Sequence, residues 1–245
     1  MASKSKHYKQ MIKYWDSQAK VLSVLKNKSQ ITNKILEVIK KRKCKNILEI
    51  GCGLAEDAIF IVQKSKCKIT CVDFSSEMIK KAESRIRRKN LKRQISFILG
   101  NIVDIKLNEN FFDGVIAKSV LHHLFSKTDI ISSCVKIYKS LKPNGIFILV
   151  ENWANPNPSK YESLAFRLSQ RARKLKNIKE VFLKKDDYLK VLRRIGFRDI
   201  KCVFIKEEIN IDRYALNKAL KAEADKIKLA FPRRKVNTLF LLAYK

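Results

Sequence analysis

The 245 residues carry 54 Lys/Arg against 23 Asp/Glu, a net charge of +31, and 46% of them are hydrophobic. That apolar content can bury one sizeable core, so one domain with embellishments is expected. No apolar run is long enough to span a bilayer, and Met1-Ala2-Ser3-Lys4-Ser5-Lys6 lacks the apolar stretch of a secretory leader; a soluble, cytoplasmic protein is expected.

The basic excess is uneven. Residues 1–46 hold 13 basic and 2 acidic side chains, residues 47–151 hold 17 and 11, and residues 152–245 hold 24 and 10. Basic flanks attract phosphate-rich partners such as RNA or an anionic membrane face. A coding bias toward Lys, Ile and Asn would give the same excess as a solvated surface. Six cysteines, at 44, 52, 67, 71, 134 and 202, form no C-x-x-C pair and read as reduced thiols.

In chain order, residues 1–46 read as a basic helical cap. Tyr8, Met11, Ile12, Trp15, Ala19, Val21 and Leu22 recur at helical spacing, and Ile31, Ile35, Leu36 and Ile39 form a second apolar set. The run Ile47-Leu48-Glu49-Ile50 then meets Gly51-Cys52-Gly53, and Ala58-Ile59-Phe60-Ile61-Val62 follows with helical period, predicting a strand, a tight loop and a helix. Glycine turns the backbone without a Cβ penalty and lets a ligand lie against bare main chain, while the helix start offers N–H groups to an anion. A nucleotide-like ligand fits such a loop. The third glycine of a dinucleotide fingerprint would be Glu56, which weakens the case for NAD.

Lys68 to Asp73 reads as a second strand ending in an acid 20 residues beyond Gly53. A carboxylate at the tip of the neighbouring parallel strand can accept from both ribose hydroxyls. Phe74 and Ser75 lead into a helix, with Ser75 as N-cap and Met78 toward an adenine. A third strand, Ile95–Leu99, ends in Gly100-Asn101-Ile102, and a fourth, Phe112–Ala117, runs into Lys118-Ser119-Val120-Leu121-His122-His123-Leu124. A helix from about Ser126 to Leu141 stops at Lys142-Pro143-Asn144-Gly145, and Ile146–Glu151 is a fifth strand. The loop from Asn152 to Pro158, which contains Trp153, precedes basic helices over 160–180 carrying Arg167, Arg171, Arg173 and Lys174. Asp186 or Asp187 caps a further helix that Gly196 stops. Phe197 to Lys206 begins a sixth strand, Asp212 to Leu229 is a helix, and Thr238–Tyr244 is a seventh strand.

Glu49-Ile50-Gly51-Cys52-Gly53, the Asp-x-Ser-x-x-Met run from Asp73 to Met78, and Leu141-Lys142-Pro143-Asn144-Gly145 stand at intervals that resemble the class I S-adenosylmethionine-dependent methyltransferases. The resemblance implies an α/β fold: a seven-stranded, mostly parallel Rossmann-like sheet with helices on both faces and an antiparallel C-terminal hairpin. Residues 1–46 become an N-terminal helical cap and residues 47–245 the methyltransferase domain, with a basic helical insertion at about 152–185 over the acceptor pocket. S-adenosyl-L-methionine is the implied cofactor. Glu49, Gly51, Cys52, Gly53, Asp73, Phe74, Met78, Asn101, Ile102, Ala117 and Lys118 would bind it. Asn101 stands where the family has Asp, and its carbonyl can accept the adenine amino hydrogen equally well. Asn144 replaces the family's usual glycine.

Methyl transfer from a sulfonium demands mainly alignment, with a proton removed in some cases. His122 and His123 have a suitable ordinary pKa beside the implied methyl position. His123 is the preferred base, with Tyr14 or Tyr8 closing over it, because in some small-molecule members of the family a histidine here pairs with an N-terminal tyrosine. The alternative is that the pair packs beneath the cofactor or orders the loop. No metal site is expected, because His7 is far along the chain from the pair and the cysteines lack a ligand spacing. Ala117-Lys118-Ser119-Val120 is unlike the Asn/Asp-Pro-Pro-aromatic of adenine N-methyltransferases. Cys44, Cys134 and Cys202 lack the motif of an arsenite methyltransferase. The Leu-His-His-Leu loop resembles small-molecule methyltransferases, so a small-molecule acceptor is expected. The basic flanks keep RNA, above all tRNA, an anionic membrane surface, or a non-catalytic nucleic-acid-binding role on the same fold as alternatives.

Overall fold

Apolar strand runs alternate with segments of helical period through the first 150 residues, which is the pattern of a parallel sheet with helices packed on its faces. The computed structural model describes residues 2–21, 30–152, 154–208, 218–231 and 235–245. Helices α1 (Ala2–Val21) and α2 (Gln30–Lys41) precede β1 (Asn46–Ile50), α3 (Glu56–Lys64), β2 (Lys68–Asp73), α4 (Ser76–Arg88) and β3 (Ile95–Leu99). Then come β4 (Phe112–Lys118), a 3-10 turn (Leu121–His123), α5 (Lys127–Ser140) and β5 (Leu141–Glu151). The last part holds α6 (Lys160–Leu175), α7 (Lys185–Ile195), β6 (Arg198–Glu208), α8 (Lys218–Ala230) and β7 (Lys235–Tyr244).

The seven strands form one sheet in the order β3-β2-β1-β4-β5-β7-β6. The five strands from β3 to β5 pair in parallel, and β7 runs antiparallel between β5 and β6. This is the fold expected from the sequence, hairpin included. Strand β5 starts earlier than predicted, because Leu141 pairs with Phe112 before a bulge shifts the register to Gly114 and Ile146. Lys184, not Asp186 or Asp187, is the N-cap of α7, and Asp187 reaches back to accept from the Lys184 N–H at 3.2 Å. The predicted Leu22, Trp153 and residues 212–217 of the last predicted helix lie outside the described residues.

Period-2 alternation sorts the strand side chains between two cores. Ile47, Ile69, Ile116 and Ile148 pack with α2, α3 and α4 through Ile35, Ile61 and Ile86. Leu48, Val72, Val115 and Phe147 face α5 and α7 through Ile137 and Leu192. A third cluster joins α6 to α8 and Val236 of β7. All six cysteines are unpaired, five of them buried.

Helix α1 is held against α4 by Ser75. Its buried hydroxyl accepts from the Met78 N–H at 3.1 Å and donates to Asp16 Oδ1 at 2.5 Å. One side chain thus caps α4 and anchors the covering helix. Ser75→Ala should cost about 1–2 kcal/mol, which thermal unfolding would register as a fall in Tm of roughly 2–8 °C. An unchanged Tm would mean that neither bond contributes.

Candidate active site

Between β1 and β4 the strand order reverses: the chain leaves β1 toward β2 and β3, then crosses back to place β4 on the other side. The crossovers diverge there and leave a crevice beyond the carboxyl ends of both strands. Two loops fill its floor. Gly51, at φ 67°, lies so close to the loop after β4 that an added Cβ would stand 2.4 Å from Val120 Cγ2. Only glycine fits there. Gly53, at φ 51°, turns its bare face toward open space. Ser119, just past β4, also takes a left-handed conformation at φ 54°, rare for a residue with a side chain.

A cavity of about 120 Å³ occupies this crevice. Gly51 and Gly53 form its floor, Asp73 and Phe74 stand at the tip of β2, and Met78 projects from α4. Ser119, Val120 and His123 close the side of β4, with Trp15 of α1 above. The Asp73 carboxylate accepts from Gly53 N–H at 2.8 Å and Ser75 N–H at 2.9 Å, which fixes the loop while leaving lone pairs toward the cavity. Burial pushes its pKa up against those two hydrogen bonds.

Six of the predicted cofactor residues lie elsewhere. Glu49 and Lys118 alternate onto the α2/α3 side of the sheet. Lys118 Nζ sits 2.7 Å from Asp57 Oδ2, and Thr32 of α2 donates to Asp57 Oδ1 at 2.6 Å. Glu49 accepts from the Cys71 thiol at 3.8 Å beneath that pair. Cys52 turns into the same core, while Ala117 and Ile102 are buried on the opposite one. Asn101 spends its carbonyl oxygen on the Val103 N–H, 3.1 Å away, in a turn below Tyr8. Gly51, Gly53, Asp73, Phe74, Met78 and His123 are the predicted residues that share the cavity wall.

The expected tyrosine does not close over His123. The Tyr8 hydroxyl donates to Asp129 Oδ2 at 3.1 Å and accepts from the Phe125 N–H, which ties it to the start of α5, and burial raises its pKa to about 12. Tyr14 packs edge-on against Trp15 under Lys176. Trp15 itself covers His123, ring centroids 5.2 Å apart in a T-shaped contact. Helical geometry explains the exchange. Trp15 continues the i, i+4 stripe of the buried His7, Met11 and Ala19, and Tyr14 lies beside it against Trp15.

Two groups around the histidines were not legible as partners in the sequence. Glu151, at the end of β5, accepts from the Leu121 N–H at 2.9 Å and lies 2.6 Å from His122 Nδ1. Glu180 arrives from the segment between α6 and α7 because the Val181 N–H donates to the His122 carbonyl at 2.8 Å. Glu180 Oε1 then lies 3.0 Å from His123 Nδ1, 3.9 Å from His122 Nε2 and 2.6 Å from Arg173 Nε. His7, remote in sequence, is also here, with Nε2 3.0 Å from the His123 carbonyl oxygen.

Burial lowers the His123 pKa to about 4, with His122 adding to the effect and Glu180 opposing it. Burial also pulls His122 down, but the Glu151 carboxylate outweighs it and leaves the pKa raised. Glu180, pushed up by burial, is brought to about 2 by the two histidines and Arg173.

The sheet order and the crevice at the β1/β4 switch point define a Rossmann-like α/β protein. Residues 41–196, well over half of the chain, match the family of methyltransferase domains, and the chain belongs to that family. A 27-O-demethylrifamycin SV methyltransferase of Amycolatopsis mediterranei is 23% identical over 157 residues, covering 64% of this chain and 56% of the relative. A sterol 24-C-methyltransferase of Kluyveromyces lactis is 31% identical over 105 residues, covering 43% of this chain and 28% of the relative. The chain therefore spans only part of the length of these relatives. Among solved structures, the phosphoethanolamine N-methyltransferase 2 of Haemonchus contortus, in complex with phosphomonomethylethanolamine and S-adenosylhomocysteine, superposes with a TM-score of 0.63 at 18% identity. That likeness covers 87% of this chain and 52% of that one, and it shows the fold.

Burial raises the Glu49 carboxyl to about 8; Asp57 adds to the shift, and Lys118 opposes it. A carboxyl whose pKa is higher in the folded state binds its proton more tightly there. Its stabilising contribution is complete below the ordinary carboxylate range and is lost as pH rises through about 8. Denaturant midpoints measured from pH 5 to pH 9 should therefore fall more steeply for wild type than for Glu49→Gln. Parallel curves would show that Glu49 ionises as it does in water.

Proposed function

We propose that this chain transfers a methyl group from S-adenosyl-L-methionine to a small organic acceptor. The observation that carries the reading is one cavity that brings together the Gly51–Gly53 loop, Asp73 and His123 beneath Trp15. The bare backbone of Gly53 suits a closely approaching cofactor, Asp73 has lone pairs for ribose hydroxyls, and Met78 and Phe74 offer an apolar wall to an adenine. When bound, the cofactor supplies an activated methyl group. The protein's part is to align an acceptor against it and exclude water, since holding two reactants in attack geometry is itself a large rate factor.

The acceptor side is defined by His123 and Trp15. His123 orients the acceptor or takes its proton, and the indole above it shields the reacting atoms from solvent. Apolar groups dominate the wall, through Trp15, Leu54, Phe74, Met78 and Val120, which favours an organic metabolite over a polyanion. The names of the rifamycin and sterol relatives point the same way. The basic side chains Lys41, Arg42, Arg198 and Lys245 gather instead at the opposite end of the strands, away from the crevice. An RNA drawn to that groove would not meet His123. At about 120 Å³ the cavity is smaller than the ~300–1,000 Å³ of ordinary ligand pockets, so its walls must move apart to admit the cofactor.

Calorimetry with S-adenosylhomocysteine tests the cofactor site. Wild type should bind, and Asp73→Asn should weaken binding by at least ~10-fold, the order of one or two charge-assisted hydrogen bonds, with circular dichroism confirming the fold. Equal affinity in the variant would remove Asp73 from the site. Labelled cofactor screened against small-molecule extracts and RNA would identify the acceptor. On that acceptor, His123→Ala should lower kcat by ~10²–10⁴-fold while leaving S-adenosylhomocysteine affinity near wild type. Methyl incorporation into RNA alone would overturn the small-molecule reading.

A further inference from the structure

Behind the His123 face of the cavity, three side chains from distant parts of the chain point their donor atoms at one another. One ring nitrogen of His122, one of His123 and a Glu180 carboxylate oxygen lie within 4.8 Å of each other. We infer that they form a binding site for a divalent first-row transition ion of the zinc type, held by two imidazoles and one carboxylate.

The distances come close to those of a first coordination shell. An ion bound at ~2.0–2.2 Å sets its ligands about 3–3.5 Å apart, and His123 Nδ1 already stands 3.0 Å from Glu180 Oε1, with His122 Nε2 at 3.9 Å. His122 Nε2 is the outlying donor, and its ring would have to move inward for all three to meet on one centre. The short 3-10 turn makes this feasible for consecutive histidines, because it leaves their ring centroids 4.1 Å apart.

Two buried atoms in the cluster have no hydrogen-bond partner among the described residues. One is His123 Nδ1, out of line with the nearby Glu180 oxygen, and the other is Glu180 Oε2. The Glu180 side chain is 2% exposed and that of His123 10%, so bulk solvent does not reach them. Leaving a buried polar atom unpaired costs about 1–3 kcal/mol. Both atoms are metal-ligand types. Arg173 Nε, 2.6 Å from the same Oε1, fixes the carboxylate so that it faces both imidazoles.

Glu151 supplies the support such a site requires. At 2.6 Å from His122 Nδ1 it accepts the proton on that nitrogen and so turns the Nε2 lone pair toward Glu180. Ligand carboxylate, supporting carboxylate and the Arg173 guanidinium leave the neutral-imidazole cluster with one net negative charge, so a divalent cation is not repelled. The donor set selects the ion: two imidazoles and a carboxylate favour zinc, iron or cobalt over magnesium or calcium. The role of the ion rests on the proposed methyl transfer. Held behind the cavity wall, it would fix the orientation of the His123 ring that faces the acceptor.

The binding test needs neither cofactor nor acceptor. The full chain, stripped with a chelator and checked by circular dichroism, is titrated with Co²⁺ and followed by its visible d–d absorption, then challenged with Zn²⁺. The expected result is one Co²⁺ per chain, displaced by Zn²⁺, with binding weakened 10–100-fold in Glu151→Gln and lost in Glu180→Gln. Either of two results would overturn the site: no stoichiometric uptake by folded wild type, or uptake that survives Glu180→Gln unchanged. Thiolate-to-cobalt charge-transfer bands would also overturn it, because they would place the ion on a cysteine. Stoichiometric binding by a chain that methylates no acceptor would sink the proposed function and leave the metal site standing.

Discussion

The parallel pairing of β1 with β4 is the constraint on which the rest of the molecule depends. It forces the chain to cross the sheet in opposite directions from adjacent strands, and the space beyond their ends is left as a cavity that Trp15 of α1 covers. Gly51 against Val120 sets how closely the two loops approach. Asp73, one strand further out, holds the glycine loop through Gly53 and the start of α4 through Ser75. A floor, a side wall and a polar rim follow from three strand ends, each short enough to be rigid.

Burial of charge divides the neighbourhood of that crevice into two networks with different character. On the α2/α3 side, Glu49, Asp57 and Lys118 form a compact set in which Lys118 bonds directly to Asp57 and the remaining carboxyl is driven toward its neutral form. Such a network fixes the loop from behind, and its cost is contained by protonation. On the other side, Glu151, His122, His123, Glu180 and Arg173 gather from four separate parts of the chain. There the carboxylate of Glu180 stays ionised, and donor atoms are left facing one another. The first network is suited to support, the second to chemistry.

Part of the large positive charge stands apart from both. Its groove of Lys41, Arg42, Arg198 and Lys245 lies at the far end of the strands, and the cavity wall is mostly apolar. Long-range attraction for anions scales with such a field, but selection of an acceptor is decided by contacts within a few ångströms. Net charge therefore says little about what enters the crevice.

The sequence by itself determined the order and type of almost every element, because strand and helix periods are local and the glycine loop, the Ser75 cap and the Gly196 stop are chemically specific. It also determined that Gly51, Gly53, Asp73, Met78 and His123 would meet, since each sits at a strand end or on the first turn after one, where sheet topology fixes its neighbours. Only the tertiary structure decided which face Glu49 and Lys118 would take, because both stand near the ends of their strands, where a shift of one position turns a side chain to the other side of the sheet. Only the tertiary structure put Trp15 in place of a tyrosine over His123, a matter of how α1 is rotated against α4. It also brought His7 and Glu180 to the histidine pair, through single hydrogen bonds between segments more than 50 residues apart. Those contacts have no periodic signal in the chain, because one backbone bond between distant segments leaves no pattern in the residues around it.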